Sequence, residues 1–371
     1  LALFSILSAL VTGRYEMAIM LPEDEKDSLS LFHLSLIFSF TFSAFIAVII
    51  FLFSAEISDF FNNQELNFWL YFLPFSIFFA GIFQTFNYWL NRNKDYKNIA
   101  MGKIVLGAGT SIFQLLMRMI SKISGGLIVG YLIGQIIVTY YFLIKIFKKN
   151  LSKFSQINKK RVISNAFEYK KFPLISSFTS ILDKSAVQMP ILLLSKFFDQ
   201  TSTGTFSALT RFLDAPFALL NSSIALVLHQ RVVVVSRESP EDLYKLILIM
   251  YLSLLGFTLP LIILVFFFGS EIFNILLGSS WGNVGEISFF LMVVVGYRFC
   301  VSPLSSVLNL KDTLHLGALW QIIYFFTISI TLFLARDLSF KDFIFIFMVH
   351  EVTLYTMYLC FILYGCRHKN R

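Results

Sequence analysis

Charge is scarce in this 371-residue chain. Asp, Glu, Lys and Arg make up 14% of it, against roughly 25% in a soluble domain, which is too few to cover a water-facing surface. Cysteine is rarer still. Cys300, Cys360 and Cys366 are the three, none in a Cys-x-x-Cys pair, so they read as packing residues and no metal framework is implied. No connection between apolar stretches exceeds 24 residues, whereas a folded domain takes roughly 50. A soluble catalytic domain is therefore excluded. The chain has no Walker-type Gly-rich loop and no His-x-x-x-His metal motif, so no nucleotide-hydrolysing centre and no cofactor is implied.

What fills the sequence is hydrophobicity, with 57% apolar residues and a mean hydropathy of +0.75. Membrane spans need about 20 apolar residues each, and ten such spans fit: 31–54, 68–90, 99–118, 125–147, 172–197, 204–230, 243–268, 286–310, 314–335 and 342–364, after a partial span at 1–13. The fold class is an all-α polytopic membrane protein. Alternate connections differ sharply in Lys and Arg: one set (14–30, 91–98, 148–171, 231–245, 311–313, 367–371) carries 20, the other 3. Cytoplasmic loops hold the positive excess, which places the first set and the C-terminus in the cytoplasm. The net charge of +8 thus reflects topology and implies no nucleic-acid partner. The chain opens at Leu1 inside an apolar run, without the basic start and small-residue cleavage site of a signal peptide. An incomplete N-terminus is expected.

The connection 148–171, with eight basic residues and one acid, divides the chain. Residues 1–147 read as an N-terminal transmembrane lobe, 148–171 as a basic cytoplasmic inter-lobe loop, and 172–371 as a C-terminal lobe. A faint repeat supports two related halves: Arg14 precedes Pro22-Glu23-Asp24 much as Arg231 precedes Pro240-Glu241-Asp242, and such repeats are common in transporters. A six-plus-six plan lacking its first helix and part of its second fits this count. Trp69, Tyr71, Tyr88 and Trp89 mark interfacial belts. Gly126, Gly130 and Gly134, four apart, predict close approach of another helix. Pro74, Pro190, Pro216, Pro260 and Pro303 fall inside spans, where freed carbonyls need a neighbour or water.

The run Gly13-Arg14-Tyr15-Glu16-Met17-Ala18-Ile19-Met20-Leu21-Pro22 resembles a signature of the polysaccharide-exporter, or Wzx-type flippase, branch of the multidrug/oligosaccharidyl-lipid/polysaccharide superfamily. Other blocks follow in family order: Asn87-Tyr88-Trp89, Phe172-Pro173, Met189-Pro190, Gly204 with Arg211 and Pro216, Leu277-Gly278 with Trp281, and Ser302-Pro303-Leu304-Ser305. The resemblance covers roughly 14–320. It implies two pseudo-symmetric six-helix lobes around a central cavity, and a flippase carrying undecaprenyl-pyrophosphate-linked oligosaccharide across the bacterial inner membrane by alternating access. A polysaccharide polymerase and its chain-length machinery are the implied partners. Asp183 stands where many relatives carry Asn or another neutral residue.

Charges at mid-membrane cost ~2.5–3.5 kcal/mol each on insertion scales, so they usually meet a cavity or a partner. In span 172–197, Ser176, Ser177, Ser180, Asp183, Lys184 and Gln188 fall within about 140° at 100° per residue. In the next span, Ser207, Thr210, Arg211, Asp214, Asn221 and Ser222 fall within about 120°. Each helix thus presents a polar stripe carrying both signs of charge. In one reading Arg211 and Asp214 pair on one helix face and Asp183 and Lys184 neutralise neighbours. In the other, Lys184 and Arg211 attract a pyrophosphate, with Arg298 as a third cavity cation, and Asp183 and Asp214 are coupling or pairing acids for H+ or Na+. His350-Glu351 read as a structural pair, Lys103 and Arg118 as snorkelling side chains, and Arg14, Tyr15, Glu16 and Pro22 as a cytoplasmic-end structural or gating element. Balanced charges in the stripes leave a drug/cation antiporter of the same superfamily as a rival. A membrane glycosyltransferase or polymerase is disfavoured, because the longest external connection has 17 residues and no Lys or Arg.

Overall fold

The structure is a computed structural model, and it describes residues 2–120, 125–154, 159–238, 240–309 and 314–368. Residues 121–124 and 155–158 of two expected connections, the whole of 311–313, and the tail 369–371 lie outside them. Fourteen α-helices are described: α1 (Ala2–Ser8), α2 (Tyr15–Ala18), α3 (Glu25–Phe60), α4 (Glu65–Leu70), α5 (Leu73–Arg92), α6 (Tyr96–Ile120), α7 (Gly126–Phe154), α8 (Lys159–Glu168), α9 (Ser177–Phe197), α10 (Gln200–Glu238), α11 (Pro240–Leu277), α12 (Gly285–Val301), α13 (Leu314–Leu334) and α14 (Phe340–His368). Hydrocarbon offers backbone groups no hydrogen bond, so long apolar segments close their bonds internally. The described residues of each of the ten expected spans are mainly helical.

Seven stretches among the described residues are long and apolar enough to cross a membrane: α3, α4–α5, α6, α7, α11, α12 with the 3-10 turn after it, and α14. The described parts of α9 and α10 do not reach that composition, because the polar stripes lie on these two helices. Large apolar side chains such as Phe40 and Phe51 of α3 and Phe266 and Phe267 of α11 stand exposed, as lipid contact requires.

Helix ends follow local chemistry. Asp24 caps α3 by accepting from the Lys26 N–H at 2.9 Å. Pro240 opens α11, where its missing N–H costs nothing. The two Pro-Glu-Asp motifs therefore open corresponding long helices, of 36 and 38 residues. Only three of the five span prolines lie in an α-helix interior, Pro190, Pro216 and Pro260. Pro74 sits in the first turn of α5, after a break at Tyr71–Phe72, and Pro303 near the start of a 3-10 segment, Ser302–Asn309. Neither removes an interior α-helical bond.

The helices form two compact units, 1–184 and 185–371, divided inside α9. The expected inter-lobe loop is largely helical. α7 runs on to Phe154, and α8 returns the chain against the start of α3, where Arg161 Nη1 lies 2.8 Å from Asp24 and 3.0 Å from Asp27. The Lys26 N–H and then Arg161 hold the Asp24 carboxyl below its usual range, so this tie persists until pH falls through that lowered value. Phe32, Phe86, Trp89 and Phe142 make the aromatic core of the first unit. The second unit packs around Phe206, Phe299 and Phe347.

The glycine series brings α6 and α7 together. A Cβ on Gly130 would stand 2.7 Å from the Gln114 backbone nitrogen, and one on Gly134 2.8 Å from that of Thr110. Backbone cannot yield as a side-chain tip does, so Gly130→Leu should destabilise by about 1–3 kcal/mol, seen as a lower melting temperature in detergent. Gly204→Ala, with nothing within 4 Å of its Cβ, should leave that temperature unchanged.

Candidate functional site

The signature segment folds back on itself because two successive residues are left-handed, Gly13 at φ +58° and Arg14 at φ +60°. A side chain on Gly13 would also meet the Phe38 ring at 3.1 Å. The turn aims Arg14 into the first unit. Its Nη2 donates to Ser180 Oγ at 2.7 Å and its Nη1 lies 3.6 Å from Glu16. Glu16 is buried and accepts from the Thr12 hydroxyl. Burial pushes its carboxyl above the usual range, against the opposing pull of Thr12 and Arg14. The Tyr15 hydroxyl donates to the Ala166 carbonyl of α8 at 3.1 Å, and the Pro22 carbonyl accepts from Ser28. The signature thus ties α2, α8 and the start of α9 together.

That tie divides the stripe on α9. Ser177 and Ser180 are buried, Ser180 being taken up by Arg14, while Asp183 and Gln188 are half-buried and Lys184 is exposed. On α10, Thr210 returns its hydroxyl to the Phe206 carbonyl, and Arg211 and Asp214 are exposed. Among the described residues no ion pair or hydrogen bond engages the side chains of Asp183, Lys184, Arg211 or Asp214. The expected Arg211–Asp214 pairing is therefore not formed.

Arg298 itself is engaged within the second unit. Its Nε donates to Glu351 Oε2 at 2.6 Å and its Nη2 to the Tyr324 hydroxyl at 2.9 Å, and that hydroxyl donates to Glu351 Oε1 at 2.8 Å. The guanidinium lies over the rings of Phe347 and Tyr355. His350 Nε2 meets Thr327 at 3.1 Å while its Nδ1 is 3.5 Å from Glu351. Trp320 stacks on Tyr324 at 4.8 Å and on Tyr358 at 3.9 Å. This knot joins α12, α13 and α14, and it gives Glu351 a partner 53 residues away in addition to its neighbour His350. Sequence reading missed Tyr324 and Trp320. The available signal was their i, i+4 spacing on one face of an otherwise apolar helix.

No group of three His, Cys, Asp or Glu suited to a metal occurs among the described residues. Gly278-Ser279-Ser280-Trp281-Gly282 has the spacing of a hydrolase nucleophile elbow. It lies on a helix–3-10–helix path, without the strand–turn–helix setting that exposes such a serine. Removing Arg298 strands the charge of the buried Glu351, so Arg298→Met alone should cost about 3–5 kcal/mol. The Arg298→Met/Glu351→Leu double variant should regain much of that loss, as read by thermal melting of the purified protein.

Comparison with known proteins agrees with this architecture. The family described as polysaccharide biosynthesis protein matches residues 3–286. No curated protein matches the chain. Two solved structures do. The inward-facing conformation of a multidrug resistance MATE family transporter of the MOP superfamily is 11% identical, with a TM-score of 0.76 over all of this chain and 88% of that one. An outward-facing conformation of a multidrug resistance MATE family transporter is 12% identical, with a TM-score of 0.67 over all of this chain and 84% of that one. These likenesses give the fold alone, which is that of the two MATE transporter structures; the matched family spans most of the length, so the chain belongs to the polysaccharide biosynthesis protein family.

Proposed function

We propose that this chain is a flippase that moves undecaprenyl-pyrophosphate-linked oligosaccharide across the bacterial inner membrane for surface polysaccharide assembly, whether O-antigen, capsule or exopolysaccharide. One observation carries the reading. Lys184 and Arg211 lie well inside long helices, exposed and without a counter-ion among the described residues. A cation at mid-bilayer costs ~2.5–3.5 kcal/mol on insertion scales, so each position calls for water or an anion. A pyrophosphate supplies that anion: Arg offers a planar fork to phosphate oxygens and Lys a mobile point charge.

Asp183 beside Lys184, and Asp214 one turn from Arg211, are the coupling acids, taking up H+ or Na+ as the cavity alternates its access. Arg298, locked to Glu351, does not touch the ligand. The functional lobes are 1–147 and 172–371, with 148–171 and the C-terminus on the cytoplasmic side. Chemistry on the glycan falls to partner proteins, a polymerase with its chain-length machinery. A drug/cation antiporter is the second reading, favoured by the multidrug transporters that share the fold and by the acids in the stripes.

In a strain lacking the gene, undecaprenyl-linked oligosaccharide should build up on the cytoplasmic leaflet while surface polysaccharide disappears. The wild-type gene should reverse both. Lys184→Ala and Arg211→Ala should restore surface glycan at least tenfold less well at equal protein level. Intact surface glycan together with altered dye efflux would instead establish the antiporter.

A further inference from the structure

Helix α8 has two dissimilar faces. Its inner face, bearing Arg161, Val162 and Asn165, is held against the start of α3. Arg161 meets Asp24 and Asp27, and Asn165 Nδ2 donates to the Asp27 carbonyl at 3.3 Å. On the other side, Lys159, Lys160, Ile163 and Phe167 fall within an arc of about 100° at 100° per residue, and all four are exposed. Ile163 is 58% and Phe167 71% exposed. Among the described residues, nothing covers these two large apolar side chains flanked by lysines. Lys170 and Lys171 follow, also exposed, before the chain enters Phe172–Ser176.

The height of α8 is set by what it binds. Asp24 and Asp27 lie at the first turn of α3, a helix apolar enough to span a membrane, so α8 lies at the level where hydrocarbon gives way to headgroups. We propose that α8 is an in-plane anchor whose outer face binds anionic phospholipid. Ile163 and Phe167 enter the acyl boundary, and Lys159, Lys160, Lys170 and Lys171 meet the phosphates. The chemistry is that of an interfacial helix, apolar on one face and rich in lysine beside it. Charge complementarity and continuity with the spans point to lipid as the occupant. Because Tyr15 is bonded to the Ala166 carbonyl, lipid held by α8 also steadies the signature turn. This inference is independent of the transported substrate.

The test uses the full chain with Cys300, Cys360 and Cys366 replaced by Ala. A nitroxide is placed in turn at Ile163→Cys, Phe167→Cys and Ser164→Cys, and the protein is reconstituted in vesicles with or without phosphatidylglycerol. In phosphatidylglycerol, labels at 163 and 167 should be at least several-fold more accessible to oxygen than to a water-soluble nickel complex. The label at 164 should show no such preference. Exchanging the four lysines for Gln, or using purely zwitterionic vesicles, should reduce the preference. Equal nickel access at all three positions would overturn the anchor. So would labels at 163 and 167 shielded from both reagents, which would mean that protein covers the face. An unchanged signal in zwitterionic lipid would overturn the role of anionic headgroups.

Discussion

Hydrocarbon provides neither hydrogen bonds nor counter-charge, and every notable feature of this protein answers that constraint. Backbone groups are satisfied by closing into helix. Side-chain charges find one of three solutions. Lys103 and Arg118, near the ends of α6, are exposed and long enough to reach the interface. Arg298 and Glu351 are neutralised within the second unit, sharing Tyr324 as a common hydrogen-bond partner. Lys184 and Arg211 show neither solution among the described residues, and this contrast is why we propose them as partners of an anion.

The buried pair should not be counted as a large net source of stability. Desolvating two ions offsets much of their attraction, and such pairs are costly chiefly when one member is lost. What the knot supplies is orientation. A guanidinium held between Glu351 and Tyr324, over the rings of Phe347 and Tyr355, fixes the register of α12 against α13 and α14. The glycine contact between α6 and α7 serves the first unit differently, through backbone proximity that only a missing side chain allows.

The signature segment shows how few residues organise one end of a unit. Two left-handed residues reverse the chain, and Arg14, Tyr15 and Glu16 then reach three separate places: α9, α8 and the turn at Thr12. The same connection supplies Asp24 and Asp27 to α8. A run that reads as a loop is thus a hub, and the expected basic loop at 148–171 contributes an ordered helix to it.

By itself, the sequence determined the helical class, the placement of the long helices, the polar stripes on α9 and α10 and the family. Each of these is written in local hydropathy, periodicity or short motifs. It also marked the face of α7 that a helix approaches closely, because the glycine spacing of four is a property of one helix, while packing supplied α6 as the partner. Tertiary structure alone decided which charges are paired. Arg298 finds Glu351 across 53 residues, Arg14 finds Ser180 across 166, and Arg211 declines Asp214 three residues away, although helix geometry permits that pair. Helical periodicity says which side chains share a face. It does not say what that face meets, because the partner is brought there by packing between segments distant in the chain.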